Sequence, residues 1–185
     1  VVVALELDKE QRLWIGTAWG GIDIYYPPQD GFIHLSRDRL DENQLSSRLI
    51  SVMYQDHSGN IWIGYTNGRL DAFDRDQTRV TRYILTIEEP ELQRRNQVRA
   101  LVEDHLGMIW PGTAYGLYII NPTSGSSSRI FSTPNDPGSL SDNDVTALYE
   151  DQSGTLWVGT NGGGLNRYNR SAGTFTNYRI KDGMP

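Results

Sequence analysis

The feature that limits the fold of this chain most strongly is a five-residue pattern, an aliphatic residue followed by Trp-x-Gly and then Thr or Tyr. It occurs four times, at Leu13–Thr17, Ile61–Tyr65, Ile109–Thr113 and Leu156–Thr160. The repeated tryptophans are spaced 48, 48 and 47 residues apart, at Trp14, Trp62, Trp110 and Trp157. A nearly constant period of this length predicts supersecondary units that recur along the chain and bury their faces against one another.

Each repeat also has the pattern of four short strands. In the fourth repeat the strand-like segments are Val145–Glu150, Thr155–Thr160, Leu165–Tyr168 and Thr174–Tyr178. Turn-forming Asp, Asn, Ser and Gly residues separate them, which predicts a meander of antiparallel hairpins. Four strands per unit and a period of about 40–50 residues are typical of the blades of a β-propeller.

We therefore predict an all-β fold, a β-propeller with four blades of four antiparallel strands. The predicted blades cover residues 1–37, 45–86, 95–132 and 142–180, and residues 1–185 form one propeller segment. The chain starts inside a strand-like pattern, and residues 181–185 have the composition of a lead into a further blade. These features predict that the four blades are part of a larger ring of about seven or eight blades.

The repeated residues have a structural interpretation. Side chains alternate along a strand, so Trp157 and Gly159 share one face while Leu156 and Val158 share the other. Both faces are apolar or small, as a blade between two neighbours requires, and the tryptophans are interpreted as core residues. The repeated glycines are predicted to allow close approach of a neighbouring blade, at Gly16, Gly64, Gly112 and Gly159. The aspartates six residues before each tryptophan are predicted to be turn acceptors, at Asp8, Asp56, Asp104 and Asp151.

Pro111 is the exception within the tryptophan strands. It removes a backbone donor from what should be an interior strand, where proline is disfavoured. We expect either a local bulge or a less regular strand in the third blade.

Charge and composition exclude several classes of partner. The 17 basic and 23 acidic residues give a net charge of −6 without a block of Lys or Arg, so nucleic acid is a poor partner. No run of about 18 apolar residues occurs, which predicts that this segment does not insert into a membrane. The absence of cysteine excludes disulfides and thiolate chemistry but does not define the compartment.

The sequence contains no recognisable catalytic motif. His34, His57 and His105 are distant from one another in sequence, and the latter two directly follow the repeated turn aspartate. We predict no catalytic residue, no metal site and no cofactor, because such sites need several converging groups. The run Gly162–Gly164 joins two strands without a following helix and is interpreted as a turn.

The candidate ligand-binding surface is the rim where the turns between second and third strands meet the connections between blades. The turns contribute Trp19, Asn67, Tyr115 and Asn161, and the connections contribute Arg48, Arg99 and Asn143. Trp19 lies outside the repeated tryptophan position, and Tyr115 occupies the equivalent place two blades later. Aromatic rings beside polar groups suit a small ligand such as a saccharide, or a partner peptide or domain. Alternatively, both rings only cover blade edges.

These motifs resemble the two-component regulator propeller repeat. The fourth repeat matches the pattern of that family at Val145, Leu148, Asp151, Gly154, Leu156, Trp157, Gly159, Thr160, Gly163, Gly164 and Tyr168. The second repeat matches it at Val52, Asp56, Gly59, Trp62, Gly64, Gly68, Leu70 and Phe73. The first repeat departs from it at Gln11, and the third departs at Pro111 and in a turn that is one residue shorter.

The resemblance implies a non-catalytic sensor segment, periplasmic or extracellular, in a membrane-anchored bacterial receptor with a histidine kinase or diguanylate cyclase output. It implies binding of a small ligand, often a saccharide in this family, or contact with neighbouring blades of the same chain. Two other classes stay open: a lyase or hydrolase on a propeller fold, and a structural scaffold that mediates only dimerisation. A homodimer that completes the ring is a further arrangement, favoured by the apolar faces of an open arc.

Overall fold

The computed structural model describes residues 1–35, 45–76, 79–179 and 182–183. Within these ranges, the strands form four sheets of four strands each. The first sheet contains β1 (Val2–Leu7), β2 (Leu13–Thr17), β3 (Gly21–Tyr26) and β4 (Gly31–Leu35). The second contains β5 (Ile50–Gln55), β6 (Ile61–Tyr65), β7 (Arg69–Phe73) and β8 (Val80–Ile84).

The other two sheets follow the same order. The third contains β9 (Val98–Glu103), β10 (Ile109–Thr113), β11 (Gly116–Ile120) and β12 (Ser127–Ile130). The fourth contains β13 (Val145–Glu150), β14 (Leu156–Thr160), β15 (Gly164–Asn169) and β16 (Thr174–Tyr178). A 3₁₀ turn (Pro27–Gln29) joins β3 to β4, and a short helix, α1 (Pro90–Gln93), precedes β9.

In every sheet the strands lie beside one another in chain order. The predicted all-β architecture of four antiparallel four-stranded blades is therefore confirmed, whereas the larger ring stays a prediction. The chain divides into two compact units, Val1–Val98 and Arg99–Pro185. The first two sheets lie in the first unit, and the last two lie in the second except for Val98 at the start of β9. The helical segments of the described ranges, Pro27–Gln29 and Pro90–Gln93, are each less than two turns long, so none of them could span a membrane.

Each sheet has two faces, which we name after the residues that its second strand places on them. The tryptophan face carries the repeated Trp and Gly, and the aliphatic face carries the residues that alternate with them. In the first unit, the tryptophan face of the first sheet packs against the aliphatic face of the second. The ring centroids of Trp14 and Phe73 are 6.3 Å apart, and Ile50 and Met53 approach Gly16.

The second unit repeats this arrangement between the third and fourth sheets. The ring centroids of Trp110 and Tyr168 are 5.3 Å apart in an edge-on geometry. Val145 and Leu148 approach Gly112 as Ile50 and Met53 approach Gly16. Burial of these apolar side chains between two sheets is the main stabilising contribution in each unit.

The repeated aspartates link the turn to the tryptophan. In every blade the indole N–H donates to the carboxylate six residues earlier, at 2.8 Å (Trp14–Asp8), 2.9 Å (Trp62–Asp56), 2.6 Å (Trp110–Asp104) and 2.8 Å (Trp157–Asp151). The other carboxylate oxygen accepts the backbone N–H four residues further on, as Asp56 does from Asn60 at 2.8 Å. The indole therefore has a hydrogen-bond partner, although the rings of Trp14, Trp62 and Trp110 are buried in the core.

Pro111 does not interrupt its strand. It is buried within β10, which lies between β9 and β11. The pairing with β11 keeps one offset along the strand, at Ile109–Ile120, Gly112–Leu117 and Thr113–Gly116. No bulge occurs on the side of β11, but Trp110 and Pro111 have no partners in this ladder, so the strand is less regular there, which is the second of the two expectations.

Candidate functional site

A cavity of about 380 Å³ opens beside Trp19 in the first unit, and we call it the Trp19 pocket. It is lined by Val3, Ala18, Trp19, Leu49, Ile50, Ser51, Thr66 and Gln97. Apolar side chains form most of this wall, with a few polar groups among them. Such a composition is typical of small-molecule sites, in which apolar surface supplies contact area and polar groups orient the ligand.

The turn between β2 and β3 holds Trp19 in an exposed position. The Thr17 hydroxyl donates to the carbonyl of Gly21 at 3.0 Å and accepts the N–H of Gly20 at 2.9 Å. The N–H of Ala18 donates to the carbonyl of Val1 at 3.0 Å. The backbone of the turn is thereby fixed, while the Trp19 side chain stays 75% exposed. A large exposed aromatic ring on a fixed turn, at the edge of a cavity, is suited to stacking on a ligand.

The polar part of the Trp19 pocket comes from the second sheet and the connection before β9. The Thr66 N–H is fixed by the carbonyl of Leu49 at 3.1 Å, and the Gln97 N–H by the carbonyl of Arg95 at 2.8 Å. The Ser51 Oγ is buried and has no hydrogen-bond partner within the described ranges. An unpaired buried hydroxyl costs free energy that a ligand hydroxyl or carbonyl can recover.

The structure brings two of the predicted binding residues together in the second unit. The Asp144 carboxylate forms an ion pair with Arg99, with 2.6 Å between Nη1 and Oδ1. It also accepts the side-chain amide of Asn161 at 3.0 Å, while the Asp144 carbonyl accepts the Asn161 backbone N–H at 2.8 Å. Sequence reasoning selected Arg99 and Asn161 but not Asp144. Asp144 lies one residue before a predicted strand, at a position that the repeat pattern does not mark.

The remaining predicted residues have mixed environments. Tyr115 is half-buried, and its carbonyl accepts two hydrogen bonds from Arg129, at 2.9 and 2.6 Å. Asn143 accepts the Ser132 N–H at 2.7 Å, so its side chain orders the connection between the third and fourth sheets. In the first unit, Arg48 is exposed.

Asn67 is half-buried in the turn after β6, and its Oδ1 has no hydrogen-bond partner in the part of the chain that the structure describes. The first unit contains Trp19, Asn67 and Arg48. The second contains Tyr115, Asn143 and the group formed by Asp144, Arg99 and Asn161. A common rim that contains Trp19 and Tyr115 therefore stays a prediction.

A second cavity lies entirely in the second unit. Its volume is about 620 Å³, and it lies between residues 132–141 and the outer strand β16. Its wall is mainly polar, with Asn135, Asp136, Asn177 and Arg179 among its lining residues. It lacks the exposed tryptophan of the Trp19 pocket and is a weaker candidate for a stacked ligand.

A buried carboxylate in the second sheet has an altered acidity. Asp71 accepts the hydroxyl of Tyr65 at 2.6 Å and the backbone N–H of Ser46 at 2.8 Å. Burial raises the pKa of Asp71, and these hydrogen bonds offset part of the effect. At the equivalent place in the fourth sheet, Asn166 accepts the Ser141 N–H at 2.9 Å. An amide serves the same purpose there, so we interpret the hydrogen bonds of Asp71 with Tyr65 and Ser46 as anchoring the connection before β5 rather than as catalytic.

The histidines show no catalytic arrangement within the described ranges. His34 Nδ1 lies 2.6 Å from Asp23 on exposed strands, and His105 Nδ1 lies 2.7 Å from Glu150. His57 lies in the turn between β5 and β6. No group of three or more His, Cys, Asp or Glu side chains that could hold a metal ion occurs in the described part of the chain.

Comparisons with known proteins show which repeat family two of the blades resemble. The model of the two component regulator propeller family matches residues 44–67 and 139–162. These segments comprise the lead, first strand and tryptophan strand of the second and fourth blades. The resemblance to this repeat family is therefore confirmed. No curated protein sequence matches the chain.

Solved structures with the same fold include a signalling domain. The chain is similar to the extracellular domain of the putative hybrid two component system BT3049 from B. thetaiotaomicron, with 26% identity and a TM-score of 0.72. The similarity covers 100% of this chain but only 23% of that domain. Virginiamycin B lyase from Staphylococcus aureus has 14% identity and a TM-score of 0.70, over 97% of this chain and 55% of the lyase. At that identity, the lyase shows only the propeller fold.

Proposed function

We propose that this chain, which carries two-component regulator propeller repeats, is a non-catalytic ligand-binding segment of a membrane-anchored signalling receptor. It acts in the periplasm or outside the cell, and any kinase or cyclase output belongs to other parts of the receptor. The proposed ligand is a saccharide, bound in the Trp19 pocket. The observation that carries this proposal is the exposed Trp19 ring at the edge of an apolar cavity with few polar groups.

The receptor context is supported by the repeats and by the Bacteroides domain. Both family matches include the connection and the first two strands of a blade, where the characteristic Asp, Trp and Gly occur. The 26% identical domain is extracellular and belongs to a putative hybrid two component system. Because this chain corresponds to 23% of that domain, the receptor context and its output are inferences for the present protein.

The saccharide class is supported by the chemistry of the pocket. One face of a pyranose ring carries C–H groups that pack on an indole, while its hydroxyl groups need donors and acceptors. The Ser51 Oγ is a buried group whose hydrogen-bonding capacity is unused within the described ranges. Thr66 and Gln97 add polar side chains to the pocket wall, and neither carries a formal charge. A neutral polyhydroxylated ligand fits this wall better than a charged one.

A non-catalytic role is supported by the surroundings of the pocket. Its wall contains no histidine, carboxylate or lysine within the described ranges that could transfer a proton. The lyase or hydrolase alternative has only the propeller fold of a 14% identical enzyme in its favour. We therefore favour binding over catalysis.

The proposal is tested by titrating a panel of neutral mono- and oligosaccharides into the chain while intrinsic tryptophan fluorescence and heat release are measured. Trp19→Ala is expected to weaken binding by about tenfold or more, because central aromatic contacts dominate binding energy. Phe131→Ala is the matched control, since Phe131 is a 50% exposed aromatic residue in the other unit. It should leave the affinity unchanged.

Tyr115→Ala distinguishes the two possible extents of the site. A loss of affinity similar to that of Trp19→Ala would indicate one rim that includes both rings. An unchanged affinity would restrict the site to the Trp19 pocket. If no saccharide of the panel binds, or if Trp19→Ala binds as the unchanged chain does, the proposed site is wrong and a partner domain becomes the favoured ligand.

A further inference from the structure

Within the described ranges, three of the four sheets fix the turn between their second and third strands with a threonine. This residue lies three positions after the repeated tryptophan. Its hydroxyl donates to a carbonyl at the start of the third strand, at 3.0 Å (Thr17 to Gly21), 2.8 Å (Thr113 to Gly116) and 3.0 Å (Thr160 to Gly164). The same hydroxyl accepts a backbone N–H of the turn, from Gly20, Tyr115 and Gly163 respectively. A hydroxyl that bridges both parts of a short turn restricts its backbone.

The second sheet has Tyr65 at this position, and its hydroxyl has a different partner. The Tyr65 hydroxyl donates to Oδ2 of Asp71 at 2.6 Å, and both side chains are fully buried. Asp71 also accepts the backbone N–H and the hydroxyl of Ser46, at 2.8 and 2.5 Å. The second sheet therefore uses this hydroxyl to hold the connection before β5, whereas the other sheets use theirs to hold the turn.

The turn after β6 is held from outside the turn. The Thr66 N–H donates to the carbonyl of Leu49 at 3.1 Å, and the Gly68 carbonyl accepts the N–H of Leu85 at 2.8 Å. The Leu49 N–H donates to Oγ of Ser47, a buried residue of the same connection, at 3.1 Å. The position of Thr66 thus depends on the connection that ends at Leu49.

This connection forms part of the wall of the Trp19 pocket. Leu49 and Thr66 both line the cavity. Ser46 lies three residues before Leu49, and the adjacent Leu45 is buried in the core between the first two sheets. The hydrogen bonds to Ser46 therefore fix the start of a short segment whose end lines the pocket and holds a second wall residue.

We propose that Tyr65 and Asp71 are positioning residues of the Trp19 pocket, and that they hold its wall in place. The inference rests on the proposed ligand-binding role of this pocket. Neither residue lines the cavity, so both act through Ser46 and the connection that follows it. A wall that is ordered before the ligand arrives loses less conformational entropy on binding, which raises affinity.

The fourth sheet contains an equivalent anchor that carries no charge. Asn166 lies nine residues after its tryptophan, as Asp71 does, and accepts the Ser141 N–H at 2.9 Å. Its turn also keeps the bridge formed by the Thr160 hydroxyl. The anchor therefore needs an acceptor for a serine N–H, and it does not need a negative charge. An amide in place of Asp71 should preserve the wall of the pocket.

Amide hydrogen exchange of the ligand-free chain tests the positioning directly. Relative to the core amides of β6, the Thr66 N–H should exchange about tenfold faster or more in Asp71→Ala, because its acceptor on Leu49 is no longer held. Asp71→Asn should retain slow exchange, since its amide oxygen can accept the Ser46 N–H. Asn166→Ala is the matched control, because it removes the equivalent anchor from the other unit. Equal exchange of Thr66 in Asp71→Ala and Asn166→Ala would overturn the proposal.

Ligand affinity separates this inference from the proposed function. For a saccharide that Trp19→Ala binds more weakly, Asp71→Ala should lower the affinity by about fivefold or more, and Asp71→Asn should restore it. Asn166→Ala should bind as the unchanged chain does. Unchanged affinity in Asp71→Ala would refute the positioning role and leave the Trp19 pocket as the site. If no saccharide binds, the proposed function is wrong, and the exchange of Thr66 alone decides whether Asp71 positions the wall.

Tyr65→Phe is the milder variant and replaces Asp71→Ala if that chain does not fold. It keeps the buried ring and removes only the hydroxyl that bonds to Asp71. The Thr66 N–H should exchange about threefold faster, because one of the hydrogen bonds that hold Asp71 is lost. Ligand affinity should fall in the same direction. Exchange and affinity equal to those of the unchanged chain would exclude Tyr65 from the positioning role.

Discussion

The junction between the first and second sheets and the junction between the third and fourth sheets share their apolar contacts but differ in their charged ones. At both, a repeated tryptophan meets an aromatic ring of the next sheet, and a repeated glycine admits two aliphatic side chains. Each junction lies within one compact unit. The apolar part is therefore set by the repeat, since the same residue types recur at the same spacing.

The two junctions differ in the ion pairs that their buried turn aspartates form. Asp8 is paired within its own sheet by Arg12, at 2.5 Å, and the second sheet contributes Arg75, which contacts Glu10 at 2.6 Å. Asp104 has no such local arginine, and Arg170 from the next sheet reaches it at 2.8 Å. Arg170 also contacts Glu150 at 2.8 Å. In the second unit, the buried turn aspartate is thus directly bonded across the junction.

This difference shows which interactions a repeat has to preserve. Packing against a tryptophan depends on shape and tolerates little variation. An ion pair can be formed from several neighbouring positions, because long side chains reach a carboxylate along different paths. Arg75 and Arg170 occupy equivalent positions, thirteen residues after their tryptophans, yet they contact different acceptors.

The largest expected effect is the removal of a tryptophan that lies between two sheets. Trp110→Ala should lower the free energy of unfolding by about 3–5 kcal/mol, because it removes a fully buried ring and leaves a cavity. Trp157→Ala should cost clearly less, since Trp157 is only half-buried and contacts an aromatic ring of its own sheet. Urea unfolding of both variants measures the difference. Equal losses would mean that contact between sheets adds nothing to the role of the tryptophan.

The glycines distinguish the two junctions by how close their nearest neighbours lie. Gly112→Ala should destabilise the chain by about 1–3 kcal/mol through overpacking, because the new Cβ would lie 2.5 Å from Cγ1 of the β-branched Val145. Gly16→Ala should cost less, since its nearest contacts are 3.0 Å to Ile50 and 3.3 Å to the flexible end of Met53. Thermal unfolding of the two variants compares them. A larger loss for Gly16→Ala would contradict this reasoning.

The smallest expected effect concerns the charged contacts. Arg170→Met should cost about 1–2 kcal/mol at neutral pH, because it leaves the fully buried Asp104 side chain without its cation. Arg75→Met should cost about 0.5 kcal/mol or less, since the Arg75 side chain is 62% exposed. Urea unfolding at low and high salt measures both losses. A greater loss for Arg75→Met would show that Glu10, rather than Asp104, carries the charged contact between sheets.

The pH dependence of the free energy of unfolding at acidic pH provides a further test of the contact between Arg170 and Asp104. Burial acts to raise the pKa of Asp104, but hydrogen bonds from Trp110, Met108 and Arg170 outweigh it and lower the pKa below the ordinary 3.8. A carboxylate with a lowered folded pKa contributes stability that is present above the unfolded pKa and is lost as pH falls through the folded pKa. Arg170→Met should therefore reduce the loss of stability below about pH 4. If Arg170→Met loses as much stability on acidification as the unchanged chain, the hydrogen bonds from Trp110 and Met108 are sufficient to lower the pKa of Asp104.

Much of the fold could be predicted from the sequence because it depends on local periodicity. The predicted strands Val145–Glu150 and Thr174–Tyr178 have the same bounds in the structure. Pro111 shows the limit of such reasoning, since the sequence left two outcomes open and only the structure shows that no bulge occurs against β11. Propensity favours a break at proline, but the buried residues on both sides of it keep the strand in register.

The candidate site was less predictable than the fold. Trp19 could be selected because it departs from the repeated tryptophan position. Ser51 could not be selected, because a serine within a strand is unremarkable until its hydroxyl is found buried beside a cavity. Asp144 was missed for the same reason. Its role depends on contacts with the Arg99 and Asn161 side chains, which belong to other elements.

The repeat spacing was sufficient to establish four blades, their strands and the residues that face the core, because these follow from alternation and period along one chain. The spacing of Asp and Trp did not reveal that the indole donates to the carboxylate, nor which arginine reaches which aspartate. Those contacts and the Trp19 pocket depend on distances between residues that are far apart in sequence. Hydrogen bonds and close packing are short-range interactions, so they are decided when the sheets pack together and the side chains come within reach.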